Sequence, residues 1–297
     1  MIQFLIEILL RISEFSLIAL GLSLVYGLVK FPNVAHVQYA MLGAYLMFFF
    51  IHAGLPPVAA LVLSSLSIGV FAAVVHKLVF SRLLRTGPAI TMIGSLAIAM
   101  IIGAVILGVA GSFPYVPQAG QQSTVTIAGV FLSAAQTYKI GTTVCVIVLF
   151  WMFWTRTRLG RSMRALSSNP VLADASGLNA SRTVLLVAFA SGVLAGLGGC
   201  LLGMSSGAYS NMGNDLLLPV FAAAILGGLG NPLGAVLGAA FIALVETIVT
   251  NVDFGWLVGQ DMAFIPLPYL GTTSFLILLL ALLFRPYGLF DKEVRRV

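Results

Sequence analysis

The chain has 297 residues, of which 60% are apolar and only 8% charged, with a net charge of +6. A mean hydropathy of +1.09 is more hydrocarbon than a soluble core can bury, so the composition excludes a soluble globular domain and describes a polytopic membrane protein. The positive balance is no sign of nucleic acid, because the basic residues cluster at the ends of apolar runs, where anionic lipid and the insertion rule account for them.

The first residues, MIQFLIEILLRISEF, carry Glu7 within an apolar stretch and Arg11 and Glu14 behind it. With no leading basic segment and no small-residue cleavage site, they are not expected to be a cleavable signal peptide. Apolar runs then follow at about 15–29, 37–53, 57–80, 89–110, 139–155, 183–205, 216–229, 232–250 and 265–284, which gives about eight or nine crossings. The expected architecture is an all-α membrane bundle in one domain, 1–297, with broken or re-entrant segments. Alternating sides from a cytoplasmic C-terminus puts Lys30, Lys77, Arg82, Arg85, five arginines between 156 and 182, Arg285, Lys292, Arg295 and Arg296 inside. Only Arg11 and Lys139 fall outside, and Asp215, Asp253 and Asp261 lie in external connections, so the N-terminus is expected to be external.

Two interruptions stand out, Gly27 to Ala35 (GLVKFPNVA) and Gly227 to Gly234 (GGLGNPLG). Irregular backbone at membrane depth is tolerated where protein or a water-filled path satisfies its amides. The alternative for the second is an ordinary tight turn. Glycines four residues apart, Gly192 and Gly196, Gly199 and Gly203, Gly234 and Gly238, predict close helix packing. Cys145 and Cys200 fall inside apolar runs, where a thiol behaves as a small hydrophobe, and no metal or disulfide role is expected.

Residues 155–183, TRTRLGRSMRALSSNPVLADASGLNASRT, hold Arg156, Arg158, Arg161, Arg164 and Arg182, which places them on the cytoplasmic face. Arg161 to Ser168 offers a short helix with Met163 and Leu166 on one side and Arg161 and Arg164 on another. Ser168 or Asn169 can cap a second helix opened by Pro170 and ended at Gly177. Val171, Leu172 and Ala175 give that helix a small apolar face. Within the apolar runs Glu246 is the strongest intramembrane charge, either functional or reaching external water from the last turns of its helix. His52 and His76 are read as satisfied residues near helix ends. No GxxxxGK[ST] phosphate loop, no HExxH zinc helix and no GxSxG nucleophile elbow is read in the sequence, so neither ATP binding of that kind nor catalysis is expected of this chain.

Five separated segments, in order, resemble the permease subunits of ABC importers for branched-chain amino acids, of the LivH type. They are Ala19 to Gly27 (ALGLSLVYG) with Asn33 to Tyr45 (NVAHVQYAMLGAY), Thr157 to Asn179, Ala195 to Gly203 (AGLGGCLLG), Phe221 to Gly238 (FAAAILGGLGNPLGAVLG), and Leu283 to Arg296 (LFRPYGLFDKEVRR). Val34 and Val37 depart from the phenylalanine and glycine usual in the family's NFAHGxxxMLGAY segment.

The resemblance implies a transport subunit in a prokaryotic plasma membrane, without cofactor of its own. It implies two nucleotide-binding ATPase subunits carrying ATP and Mg, a second homologous permease in a heterodimer or homodimer, and an external solute-binding protein. The loop at about 156–182 would couple to the ATPases through Arg161, Arg164, Asn169, Pro170, Asp174, Ala175 and Gly177. Residues expected along the translocation path are Asn33, His36, Gln38, Gly227, Gly228, Asn231 and Glu246, with Ser95, Ser205, Ser206 and Asn211 as further polar groups. Urea and short amides are alternative substrates. A self-contained ion-coupled transporter using Glu246 or His36 is the rival class.

Overall fold

The computed structural model describes residues 2–116, 124–127, 130–253 and 270–284. Asp261, Arg285, Lys292, Arg295, Arg296 and most of the C-terminal motif lie outside these residues. The first long helix, α1 (Ile2–Val29), ends where Lys30 takes a φ of 55° and Pro32 removes a backbone donor. Beyond this break run α2 (Ala35–His52) and α3 (Pro57–Val75), then a π turn (His76–Phe80), α4 (Ser81–Leu83) and α5 (Pro88–Ala110). A short antiparallel hairpin, β1 (Thr124–Ile127) against β2 (Val130–Ser133), pairs Thr124 with Ser133 and interrupts the all-helical plan. It leads into α6 (Ala134–Arg156), capped by Ser133 and Gln136 reciprocally. Then follow α7 (Arg158–Ser168), α8 (Pro170–Ala175), α9 (Ala180–Ser206), α10 (Met212–Asp215), α11 (Leu217–Leu226), α12 (Pro232–Asn251) and α13 (Leu270–Phe284).

Among the described residues, six helical segments are long and apolar enough to cross a membrane: α1, α3 with its π turn and α4, α5, α6, α9 and α12. The 18 residues of α2 span roughly 27 Å, nearly the hydrocarbon thickness. Residues 212–226 and α13 are shorter apolar helices. The nine apolar runs of the sequence thus each carry helix. Pro57, Pro88, Pro170 and Pro232 each open one, as a residue with no amide to satisfy in the first turn can.

At the centre stands α9, packed against α1, α2 and α3, while α5 and α6 turn most of their surface outward. The glycine spacing makes that packing close. A Cβ on Gly199 would strike the carbonyl of Ala40, one on Gly192 would lie 2.9 Å from the Ile68 oxygen, and one on Gly43 2.5 Å from the Gly196 oxygen. The Gly234 and Gly238 pair does the same for α11 and α12, against Gly227 and Ala223. Backbone approach of this kind is how helices associate where lipid removes the hydrophobic drive.

The first span differs from expectation. Helix starts at Ile2, not near residue 15, and carries Glu7, Arg11 and Glu14 inside it. Each charge meets a distant partner: Arg11 Nη1 lies 3.1 Å from Glu246 Oε2, Lys139 Nζ 2.7 Å from Glu14 Oε1, and Asn251 Nδ2 3.1 Å from Glu7 Oε2. Those partners are 125 to 244 residues away, which is why local composition shortens the helix.

Candidate functional site

The second interruption folds as a turn at one end of the bundle. A Cβ on Gly27 of α1 would lie 3.2 Å from the Gly230 oxygen, and the Gly230 amide donates to Ser23 Oγ at 3.2 Å. Asn231 caps α12 by accepting from the Gly234 amide at 3.1 Å. From the neighbouring α7, Ser167 Oγ donates to the Gly27 carbonyl at 2.9 Å. Gly227, Gly228 and Asn231 therefore form a turn beside α7.

The first interruption does open on a cavity. About 340 Å³ of space lies between the start of α2, the outer face of α5 and the segment through α10. Its apolar walls are Val34 and Val37 of α2, Leu96, Met100 and Leu107 of α5, and Leu217. Val34, whose amide donates to Ser95 Oγ at 3.0 Å, ties α2 to α5 at its edge. The polar side is Gln38, Ser210, Asn211 and Asn214.

Those residues belong to a hydrogen-bonded row. Gln38 Nε2 donates to Asn214 Oδ1 at 2.9 Å, Asn214 Nδ2 to Asn211 Oδ1 at 2.8 Å, and Asn211 Nδ2 to Asp215 Oδ1 at 2.7 Å. Tyr209 donates its hydroxyl to the other Asp215 oxygen at 3.0 Å. Asp215, exposed at the end of α10 in the connection between α9 and α11, thus closes this row. Asn214, Asp215 and Tyr209 were missed as site residues; the signal is the polar cluster YSNMGND between two apolar runs.

Other expected path residues point elsewhere. Asn33 is buried, its Oδ1 accepting from the Ala35 amide at 3.1 Å, and it packs near Tyr39 and His76. The His36 ring turns towards α1, where Nε2 donates to the Ile18 carbonyl at 3.1 Å. Glu246, only 2% exposed, does not reach water: it is held by Arg11 and by Ser274 of α13. Buried Lys139 joins Glu14 to Ser205 Oγ, at 2.7 and 3.0 Å. Residues 203–207, GMSSG, do spell the GxSxG pattern that was read as missing from the sequence. A nucleophile elbow needs a strand–turn–helix, and this stretch is the last turn of α9, with Ser205 bonded to Leu202 and Lys139. His52 bonds Phe48 of its own helix, and buried His76 sits edge-on to Phe80.

The arginine-rich segment folds as two short helices. Thr157 caps α7 through the Gly160 amide, and Met163 and Leu166 are its buried face. Gly160 lies so close to α6 that a Cβ would meet the Trp154 carbonyl. Arg164 was expected on the polar face beside Arg161. It instead folds back to donate to the Trp154 carbonyl, with its guanidinium 5.6 Å from the Trp154 ring, while Arg161 stays exposed. Asn169 caps α8 by accepting from the Leu172 amide at 3.0 Å. Only Ala173 of α8 is buried; Val171 is 81% and Leu172 64% exposed, with Asp174 and Ala175 exposed beside them. Gly177 has a φ of 80° and open space around it.

The chain matches the family described as branched-chain amino acid transport system, permease component, over residues 4–285. The high-affinity branched-chain amino acid transport system permease protein BraD of Pseudomonas aeruginosa is 28% identical, over 96% of this chain and 94% of its own length. The probable branched-chain amino acid transport permease protein LivH of Methanocaldococcus jannaschii is 28% identical, over 92% of this chain and 87% of its own. A shorter likeness, 28% over 65% of this chain and 58% of the relative, reaches the galactose/methyl galactoside import permease protein MglC of Escherichia coli.

Proposed function

This chain belongs to the branched-chain amino acid transport system permease family, and from that premise we propose how it works. It is the membrane-spanning subunit of an ATP-driven importer for branched-chain and similar hydrophobic amino acids, moved by alternating access. A second, homologous permease completes the path, an external solute-binding protein delivers substrate, and two separate ATPase subunits bind ATP and Mg. The chain itself does no chemistry on the substrate. It sits in a prokaryotic plasma membrane with its N-terminus external.

The observation that carries this reading is α8. A six-residue helix exposing Val171 and Leu172, in a segment the insertion rule assigns to the cytoplasm, leaves apolar surface that a solvated loop has no use for. A groove on an ATPase would cover it. Shifting a path from mostly closed to mostly open takes about 5 kcal/mol of differential binding, which no residue here supplies. It would enter through α7 and α8, with Arg161, Arg164, Asn169, Pro170, Asp174, Ala175 and Gly177 as the joint.

The test is co-purification of the tagged chain in mild detergent, wild type beside Leu172→Asp. Wild type should bring down two nucleotide-binding subunits and a second permease. Leu172→Asp should insert normally and lose the ATPases at least tenfold. Wild type recovered alone, or a variant that retains its ATPases, would sink the assignment. Uptake in sealed vesicles should likewise stop when ATP is removed and persist when ion gradients collapse.

A further inference from the structure

Helix α6 turns two different sides to its surroundings. Lys139, Thr143 and Phe150 pack inward, while Cys145, Leu149 and Met152, spaced by four and three residues, all face out. Four residues further that outward line reaches Arg156, the last residue of the helix and exposed like those before it. Trp151, 50% exposed, stands beside the line about 8 Å of helix short of Arg156. Hydrocarbon, then an indole, then a cation is the order met on leaving a bilayer.

The corner that follows gathers more positive charge than its own bonds use. Arg161 donates from Nη1 to the Arg156 carbonyl at 3.4 Å, which brings a second guanidinium onto the end of α6. Arg158, also exposed, lies two residues beyond Arg156 with only the cap of α7, Thr157, between them. Arg164 is taken up by Trp154, but the side chains of Arg156 and Arg158 have no hydrogen-bond or ion-pair partner among the described residues. No Asp or Glu occurs from 134 to 173. The elements packed on α7 add Lys30 just past α1, Arg182 of α9 and a lone acid, Asp174 of α8. An anion shared by neighbouring guanidiniums relieves their repulsion, and a phosphate matches their paired N–H groups.

We infer that this corner is a binding site for an anionic phospholipid, its phosphate held by Arg156 and Arg158 and an acyl chain laid along Met152, Leu149 and Cys145. Neither arginine belongs to the ATPase joint, so the site stands beside that joint and does not depend on it. The apolar line leading into the corner selects a lipid over free phosphate. A zwitterionic lipid offers the same phosphate but brings a cation of its own, which the corner repels. The bound lipid fixes the end of α6, from which α7 starts, at the level of the headgroups.

The experiment is quenching of Trp151 fluorescence by brominated lipids, with the full chain in vesicles that mix phosphatidylglycerol and phosphatidylcholine and carry bromine on one or the other. The Trp151 signal is the difference between each protein and the same protein carrying Trp151→Phe. Brominated phosphatidylglycerol should quench as a lipid bound at least fivefold more tightly than phosphatidylcholine, since each basic residue at an anionic surface is worth about fivefold. Arg156→Gln with Arg158→Gln should bring the two lipids to equal binding, and Arg156→Lys with Arg158→Lys should keep most of the preference. Equal quenching by both lipids in wild type, or a preference unchanged in the double glutamine variant, would overturn the site. A double glutamine variant that keeps its lipid preference but loses its ATPases in the pull-down would assign the two arginines to the ATPase instead, and would overturn it equally.

Discussion

Replacing Arg11 with leucine should destabilise the folded protein by an amount that a second replacement, Glu246→Leu, largely restores. Arg11 and Glu246 are 3.1 Å apart, and at an effective dielectric of about 20 that separation corresponds to an attraction of about 5 kcal/mol. Much of it offsets the desolvation of the two ions. Breaking a wholly buried pair from one side costs about 3–5 kcal/mol, because the remaining charge is left uncompensated. The Arg11 side chain is 21% exposed, so screening lowers the figure to about 2–3 kcal/mol. For a chain of this size that is a fall in Tm of roughly 3–5 °C. The double variant removes both charges, and Ser274 can turn its hydroxyl to a carbonyl of its own helix, so it should return to within about 1 kcal/mol of wild type. Thermal unfolding followed by tryptophan fluorescence in one detergent, over all four members of the cycle, reads the coupling. A coupling below about 0.5 kcal/mol, with the two losses adding, would refute the claim that Glu246 is held by Arg11 and not by water.

Gly199→Val should cost more than about 3 kcal/mol, since the added carbons meet backbone of α2 rather than a side chain that can swing away. A monodisperse peak on size exclusion with an unshifted Tm would contradict it. Gly177→Arg tells the coupling joint from the fold. Its Cβ meets open space and the left-handed backbone adds about 1–2 kcal/mol of strain, so the chain should insert and fold, yet lose ATPase association and uptake. Normal association with normal uptake in that variant would refute the assignment.

Much of this architecture could be read from the residues alone. Each of the nine apolar runs carries helix, the four-residue glycine spacing foretold close packing that proves to set α9 on α2 and α3, and Asn169, Pro170 and Gly177 framed α8 because capping and turn chemistry are local. What sequence hid is what distance creates. Nothing near Arg11 or Glu14 announces a partner more than a hundred residues away, so the first helix was drawn short. Glu246 looked free to reach water for the same reason. Gln38 was legible as a polar residue at a helix break, but its link to the surface aspartate Asp215, three hydrogen bonds along, exists only once α10 is folded against α2. Arg164 looked like a docking charge, and only the turn of α7 beneath Trp154 shows it bracing the corner.

The contact of Gly27 with Gly230 and the pairing of Arg11 with Glu246 together say something about motion. Both lie between α1 and the α12 strand of chain, and they are separated by the same number of positions along each, from 27 to 11 and from 230 to 246, roughly 24 Å of helix. Two antiparallel rods fastened at both ends shear poorly, so α1 and α12 form one stave, with Ser167 of α7 resting on its tip at Gly27. A push received there is passed along a rigid member rather than absorbed. Across the cavity α5 meets α2 through a single hydrogen bond among the described residues, Val34 to Ser95, a lighter fastening than the two that hold α1 to α12.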